Sequence, residues 1–194
     1  MVIYVFIKKK MDECKIQNMT ATAELSHMQD LVGIKILASE NDSRFQLQYN
    51  PERFKGLIMR LKNPKTTVLV FDSGKVVCVG AREEMMARDS FCMCAQIIRD
   101  LGFKARVIKF RVHNFVASWN MGEKIKVTDF AKENRKESSY EPELFPGCIY
   151  TLDDTKILIF TSGKVFMTGV KSKDDIKTLY NTMCEKIKPF LKKV

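Results

Sequence analysis

The sequence has 194 residues and a formal net charge of +10, from 33 Lys and Arg against 23 Asp and Glu. With 45% hydrophobic and 29% charged residues it has an ordinary globular composition, which excludes wholesale disorder. No apolar run approaches the roughly 20 residues that a membrane-spanning helix needs, so the chain is not expected to span a membrane; the basic balance favours an anionic partner without choosing among nucleic acid, acidic lipid and acidic protein.

In chain order, the apolar residues 2–7 come before the lysines at 8–10, the reverse of a secretory leader. Residues 1–14 read as an N-terminal extension, 15–104 as a first unit and 105–194 as a second. In the first unit IQNMTATA at 16–23 reads as a strand, and 24–37 as helical or irregular. Strands over 54–61, 66–71 and 75–80 form an antiparallel meander, with Ser73-Gly74 as a tight turn. A helix follows in which Ala87, Phe91, Cys94, Ile98 and Leu101 make one apolar stripe. The second unit repeats this order. VHNFVASW at 112–119 is a strand, and 123–133 is helical or irregular. Strands at 148–152, 156–160 and 164–168 turn at Ser162-Gly163, and the closing helix carries Ile176, Leu179, Met183, Ile187 and Phe190 on one side.

The two units are copies. Y-x-P-E-x-F-x-G begins at Tyr49 and again at Tyr140, 91 positions later. VLVFDSGKVVCVGA at 68–81 matches ILIFTSGKVFMTGV at 157–170, 89 positions later. The N-terminal strands match at an offset of 96, which places extra residues of the first copy around 38–45. Recurrence of such motifs in one order marks a duplicated fold.

Chemistry-bearing motifs are absent. The six cysteines contain no C-x-x-C, and His27 and His113 have no ligand-spaced partners, so no metal is expected. There is no phosphate loop, nucleophile elbow or dinucleotide motif, so neither a cofactor nor an enzyme activity is expected. The meander strands are informative instead. Val68, Val70, Val76 and Cys78 fall on one face, and Leu69, Phe71, Val77 and Val79 on the other. In the second copy Ile157, Ile159, Val165 and Met167 oppose Leu158, Phe160, Phe166 and Thr168. Each copy has only enough helix to cover one face. The second face is then either a binding surface rimmed by cations or a contact between two stacked sheets.

The repeated Y-x-P-x-x-F, the repeated F-x-S-G-K-x-V-x-x-G, the paired Gln/His-Asn strand starts and SSYEPELFPG at 138–147 resemble the TATA-box-binding protein family, from residue 15 or so to the end. The resemblance implies an α+β saddle: two pseudo-symmetric repeats, a curved antiparallel ten-stranded sheet and four helices on the convex face. The concave face would take the DNA minor groove, so the sheets join edge to edge rather than stacking. This family is itself a standard example of minor-groove binding.

By matching position, the resemblance implies intercalating wedges at Phe54, Phe71, Phe145 and Phe160. Base contacts fall on Asn18, Thr20, Leu69, Val77 and Val79 in the first copy. In the second they fall on Asn114, Val116, Pro146, Leu158, Phe166 and Thr168. Phosphate contacts fall on Arg53, Arg60, Ser73, Lys75, Ser162 and Lys164, and contacts to transcription factor IIB on Glu141, Glu143 and Leu144.

The pattern is broken in places. Val79 stands where the family has a second threonine, and Thr20 and Phe166 stand where it has valine. Thr151, Asp153 and Asp154 occupy a stretch that is basic in the family. The helix at 84–101 carries Cys92, Met93, Gln96 and Asp100 at usually basic sites, which departs from the pattern for factor IIA. The implied function is that of a nuclear general transcription initiation factor. It would bind and bend A·T-rich promoter DNA and nucleate the preinitiation complex. A factor IIB-like protein, factor IIA, TBP-associated factors and the RNA polymerase machinery are the implied partners. A paralogue with altered DNA preference and a protein-interaction module on the same fold are the alternatives.

Overall fold

Strands that are apolar on both faces need a cover on each, and the structure supplies helices to one of them. The computed structural model describes residues 14–27, 29–38 and 42–192. Most of the N-terminal extension, and the centre of the extra segment around 38–45, lie outside the described residues. Among these there are ten strands and four α-helices. The backbone divides into two compact units, one spanning Asn18–His113, the other running from Asn114 onward together with the residues just before Asn18.

The first unit contains most of β1 (Lys15–Leu25), helix α1 (Leu31–Leu37), β2 (Phe45–Asn50), β3 (Phe54–Leu61), β4 (Thr66–Val70), β5 (Lys75–Ala81) and α2 (Glu84–Asp100). Its strands lie in the order β2-β3-β4-β5-β1, with antiparallel pairing along the meander. The second unit contains the later part of β6 (Val107–Asn120), α3 (Val127–Glu133), β7 (Ser138–Ser139), β8 (Gly147–Leu152), β9 (Thr155–Phe160), β10 (Lys164–Val170) and α4 (Lys173–Ile187). Its order is β6-β10-β9-β8-β7, again antiparallel.

Helix α2 packs on β3, β4 and β5. Beneath it Val68, Val70, Val76 and Cys78 have no exposed surface; full burial of such an aliphatic side chain is worth about 1.5–3 kcal/mol. In the second unit α3 packs on β8 and α4 on β10, over fully buried Ile157, Ile159, Val165 and Met167. Here the core is aromatic: Trp119 meets Tyr180 edge-on at 5.2 Å, and Phe130 meets both Tyr150 and Phe190.

Several elements differ from the sequence reading. The stretch 24–37 is not one element: β1 continues to Leu25, and α1 starts at Leu31, where the Asp30 carboxylate accepts the Gly33 N–H at 2.9 Å. A cap that satisfies an orphan helix N–H fixes the start better than the apolar pattern does. The short strands β2 and β7 escape the pattern because both are edge strands, which sheets keep short, and six and two residues are too few to show a period. Along the helices Ala87, Phe91, Cys94 and Ile98 are buried as expected, but Leu101 and Leu179 are only half-buried. Ser90, Ile97 and Tyr180 are buried instead. Ser90 is tolerated because its hydroxyl lies 2.8 Å from the Thr66 hydroxyl and donates to the Met86 carbonyl.

Candidate nucleic-acid interface

Each unit leaves its second sheet face without a cover of its own. In the first, Leu69, Phe71, Val77 and Val79 are half-exposed, while their strand neighbours are sealed. In the second, Leu158, Phe160, Phe166 and Thr168 are half-exposed in the same way. The apolar residues that α2 and α4 cannot reach therefore meet solvent, unit by unit.

On each open face two phenylalanines stand as a pair. Phe54 and Phe71 have centroids 5.8 Å apart and planes at 68°. Phe145 and Phe160 repeat those values, 5.8 Å and 68°. Phe54 and Phe145 are each 38% exposed, high for rings that contribute nothing to a core. The chain positions them alike. Phe71, just past β4, and Phe160, the last residue of β9, stand at the tight turns, where the Gly74 and Gly163 N–H groups donate to the Phe71 and Phe160 carbonyls at 2.9 and 3.0 Å. Phe145 is held by a turn in which its N–H donates to the Glu141 carbonyl at 2.9 Å.

Both pairs lie across a glycine that the sequence reading passed over. A Cβ on Gly56 would fall 2.7 Å from Phe54 and 3.1 Å from Phe71. A Cβ on Gly147 would fall 2.8 Å from Phe145 and 2.9 Å from Phe160. These are the last glycines of the repeated Y-x-P-E-x-F-x-G. Their spacing was visible in the sequence, but nothing local says that two rings occupy the missing side chain's space.

The two asparagines are locked in the same manner. Asn18 Oδ1 accepts the Gly80 N–H at 2.8 Å, and Asn114 Oδ1 accepts the Gly169 N–H at 2.7 Å. Gly80 and Gly169 have φ of 92°, a left-handed backbone that other residues rarely adopt. Both lie where strand register slips, between Met19 and Ala21 and between Thr168 and Val170; such bulges re-aim side chains. With the carbonyl end engaged, each amide is left to offer its donor end. Asn114 Nδ2 reaches Thr168 Oγ1 at 3.4 Å; Val79, at the matching place in the first unit, has no hydroxyl to meet. Thr20 and Val116 sit half-exposed on the same faces. Gln17 and His113, which precede the two asparagines, each meet a hydroxyl: Gln17 Nε2 donates to Ser118 Oγ at 2.9 Å, and His113 Nε2 lies 2.7 Å from Thr22 Oγ1.

The cations are uneven. Arg53, Arg60, Ser73 and Lys75 are exposed in the first unit, and Ser162 and Lys164 in the second. Arg60 donates to Gln48 at 3.1 Å. Thr151 and Asp153 are exposed, and Asp154 pairs with Lys171 at 2.9 Å. That hydrogen bond holds the Asp154 carboxyl below its ordinary value, so the anion persists there. Glu141, Glu143, Leu144 and Pro146 are exposed, Leu144 at 82%.

Helix α2 explains one of its departures. Asp100 accepts from Arg44 at 2.5 Å and from Gln96 at 2.7 Å, and Arg44 also clasps Asp42. The acid on the helix and the residues of the extra segment thus form one network. Cys92 is exposed and Met93 half-buried; nothing in the structure explains that pair.

The family model described as "Transcription factor TFIID (or TATA-binding protein, TBP)" matches residues 13–101 and 109–190. The rat "TATA box-binding protein-like 2" is 39% identical over 92% of the chain, which spans about half (51%) of that relative's length. The "TATA-box-binding protein" of Acetabularia peniculus is 38% identical, with 92% of both chains covered. Among solved structures, "Methanococcus jannaschii TBP" superposes with a TM-score of 0.78 at 34% identity, covering 91% of this chain and 99% of the other. The α+β class expected from the sequence is the class of both units, and that relative shares the fold. A family match that takes in both copies, joined to a matching fold, leaves one assignment: the chain belongs to the TATA-binding protein family.

Proposed function

We propose that this chain is a transcription initiation factor that binds A·T-rich promoter DNA in the minor groove, bends it and exposes the bent complex to other initiation factors. The observation that carries this reading is the pair of matched ring pairs, each exposed on an apolar face and propped on a glycine. An apolar ring held at a sheet's edge can enter a base step; opening the step costs a few kcal/mol and is offset by the surface that the bend brings into contact. The amide donors of Asn18 and Asn114 suit the acceptors on the floor of an A·T minor groove, where G·C adds a donor of its own. Arg53, Arg60, Lys75 and Lys164, with the Ser73 and Ser162 hydroxyls, suit phosphates at the rim. The exposed Glu141, Glu143 and Leu144 suit a factor IIB-like protein. Among the described residues no group of His, Cys, Asp and Glu is placed to hold a metal ion, and the place of action is a nucleus.

Val79, Thr20 and Phe166 favour a second reading within the family, a paralogue whose base preference has shifted. A gel-shift and bending assay on a TATA duplex, a scrambled A·T duplex and a G·C duplex, at two salt concentrations, tests both. A specific bent complex on TATA supports the first reading; equal, salt-labile binding to all three supports the second. No binding to any of them would leave an apolar interaction module. Alanine at both Phe71 and Phe160 should remove bending while non-specific affinity persists.

A further inference from the structure

The two units differ by a whole ring at one open-face position. In the second unit the wedge pair continues into a third aromatic: Phe166 lies 6.0 Å from Phe160, edge-on at 81°. Its neighbours across the sheet are Leu158 and Ser118, and Lys164 Nζ stands 5.6 Å from its centroid. The matching position in the first unit is Val77, flanked by Leu69 and Thr22. The frame is alike, with a leucine on one side and a hydroxyl residue on the other. Only the reach of the side chain changes.

That reach matters on a minor-groove floor. A·T and T·A pairs show only acceptors there, whereas G·C raises the guanine N2 amino group. A flat ring pressed on the floor has neither room for that amino group nor an acceptor for it, so the group would be desolvated without a partner. A valine stops short and leaves the gap open.

We infer that Phe166 is a specificity-determining residue that makes the DNA half-site facing the second unit intolerant of G·C, while the half facing Val77 tolerates it. The inference rests on the minor-groove reading above. It follows that the protein takes a preferred orientation on any element carrying G·C in one half.

The test uses the full chain and a palindromic A·T duplex with G·C placed at one, or at both, of each pair of symmetric positions in turn. With one substitution the protein can turn round, losing about twofold in affinity as one of two orientations is forbidden. At the position under Phe166 the second substitution should cost about tenfold or more, within the usual range for a wrong base pair. Inosine·C, which lacks the amino group, should restore affinity. In Phe166→Val the second substitution should cost no more than the first, and in Val77→Phe the first alone should cost about tenfold. Phe166→Leu serves if the valine variant does not fold. Equal steps for the first and second substitutions in the wild-type chain at every position would overturn the inference. Failure of inosine to restore binding, or an unchanged profile in Phe166→Val, would also overturn it. If the all-A·T duplex is bound no better than a G·C duplex, the minor-groove reading itself falls and takes the inference with it. That outcome is distinguishable because it precedes any substitution.

Discussion

Replacing Gly147 by alanine would test whether the ring pair is positioned for DNA rather than for stability. The new methyl would stand 2.8 Å from Phe145 and 2.9 Å from Phe160, where carbon contacts normally begin near about 3.5 Å. Each ring must retreat by roughly 0.6–0.7 Å, or tilt off its rotamer at a cost of about 1 kcal/mol. In the free protein the 38% exposed Phe145 can swing into water, and Gly147 does not have a left-handed backbone. Gly-to-Ala at such a site stabilises by about 0.4–1 kcal/mol through the unfolded chain, so the melting temperature should hold or rise by about 2–4 °C. In a DNA complex both rings must return to their places, so about 2 kcal/mol is charged to binding, or roughly 30-fold in Kd. Fluorescence anisotropy on an A·T-rich duplex would read the affinity, end-to-end energy transfer the bend, and a thermal melt the fold. A lowered melting temperature with affinity and bend unchanged would refute the reasoning, because it would make the rings part of the core.

Further outcomes are expected. Of the described cations in the phosphate set three lie in the first unit (Arg53, Arg60, Lys75) and one, Lys164, in the second; with Z near 4, log Kd against log salt should have a slope of about 4 in magnitude. That slope should be shallower than in a homologue basic in both halves, and Asp153→Lys should steepen it by about one; equal slopes in matched titrations would remove the asymmetry argument. Burial pushes the Cys94 thiol from 9.0 up to about 12, and burial with the nearby Cys184 raises Cys14 to about 11, so in native protein near pH 8 iodoacetamide should label exposed Cys92 first and Cys94 only on unfolding, as mass spectrometry would show. Because the folded Cys94 pKa lies above the unfolded one, its contribution to stability should be complete below about pH 9 and erode as pH rises toward 12; flat stability over that range would contradict it. Asp100→Asn should speed hydrogen exchange around Arg44, since Arg44 holds both the Asp42 and Asp100 carboxyls below their ordinary range. Acidification through that depressed range should do the same, while exchange elsewhere in α2 stays as it was.

What could be read from the chain was whatever repeats or alternates. The duplicated motifs exposed the two copies, period-two runs such as VLVFDSGKVVCVG placed the meanders, and period-3.6 stripes placed α2 and α4. The alternation also showed a second apolar face in need of a cover, but it left both a binding partner and the other copy's sheet as candidates until the family resemblance separated them. What stayed hidden depends on contacts between residues far apart in sequence. Gly56 and Gly147 look like any strand glycines until two rings are laid across them. Gly80 and Gly169 become meaningful only when Asn18 and Asn114 arrive across a bulge, some 60 and 55 positions away in sequence. Asp100 looks like a lost positive charge on a helix until Arg44 reaches it. Periodicity is a property of neighbours along the chain, so sequence alone determined the meander strands, the two long helices and their duplication. Ring spacing, amide orientation and ion pairing are properties of neighbours in space, and only the folded backbone, by bringing those groups within contact distance, decided them.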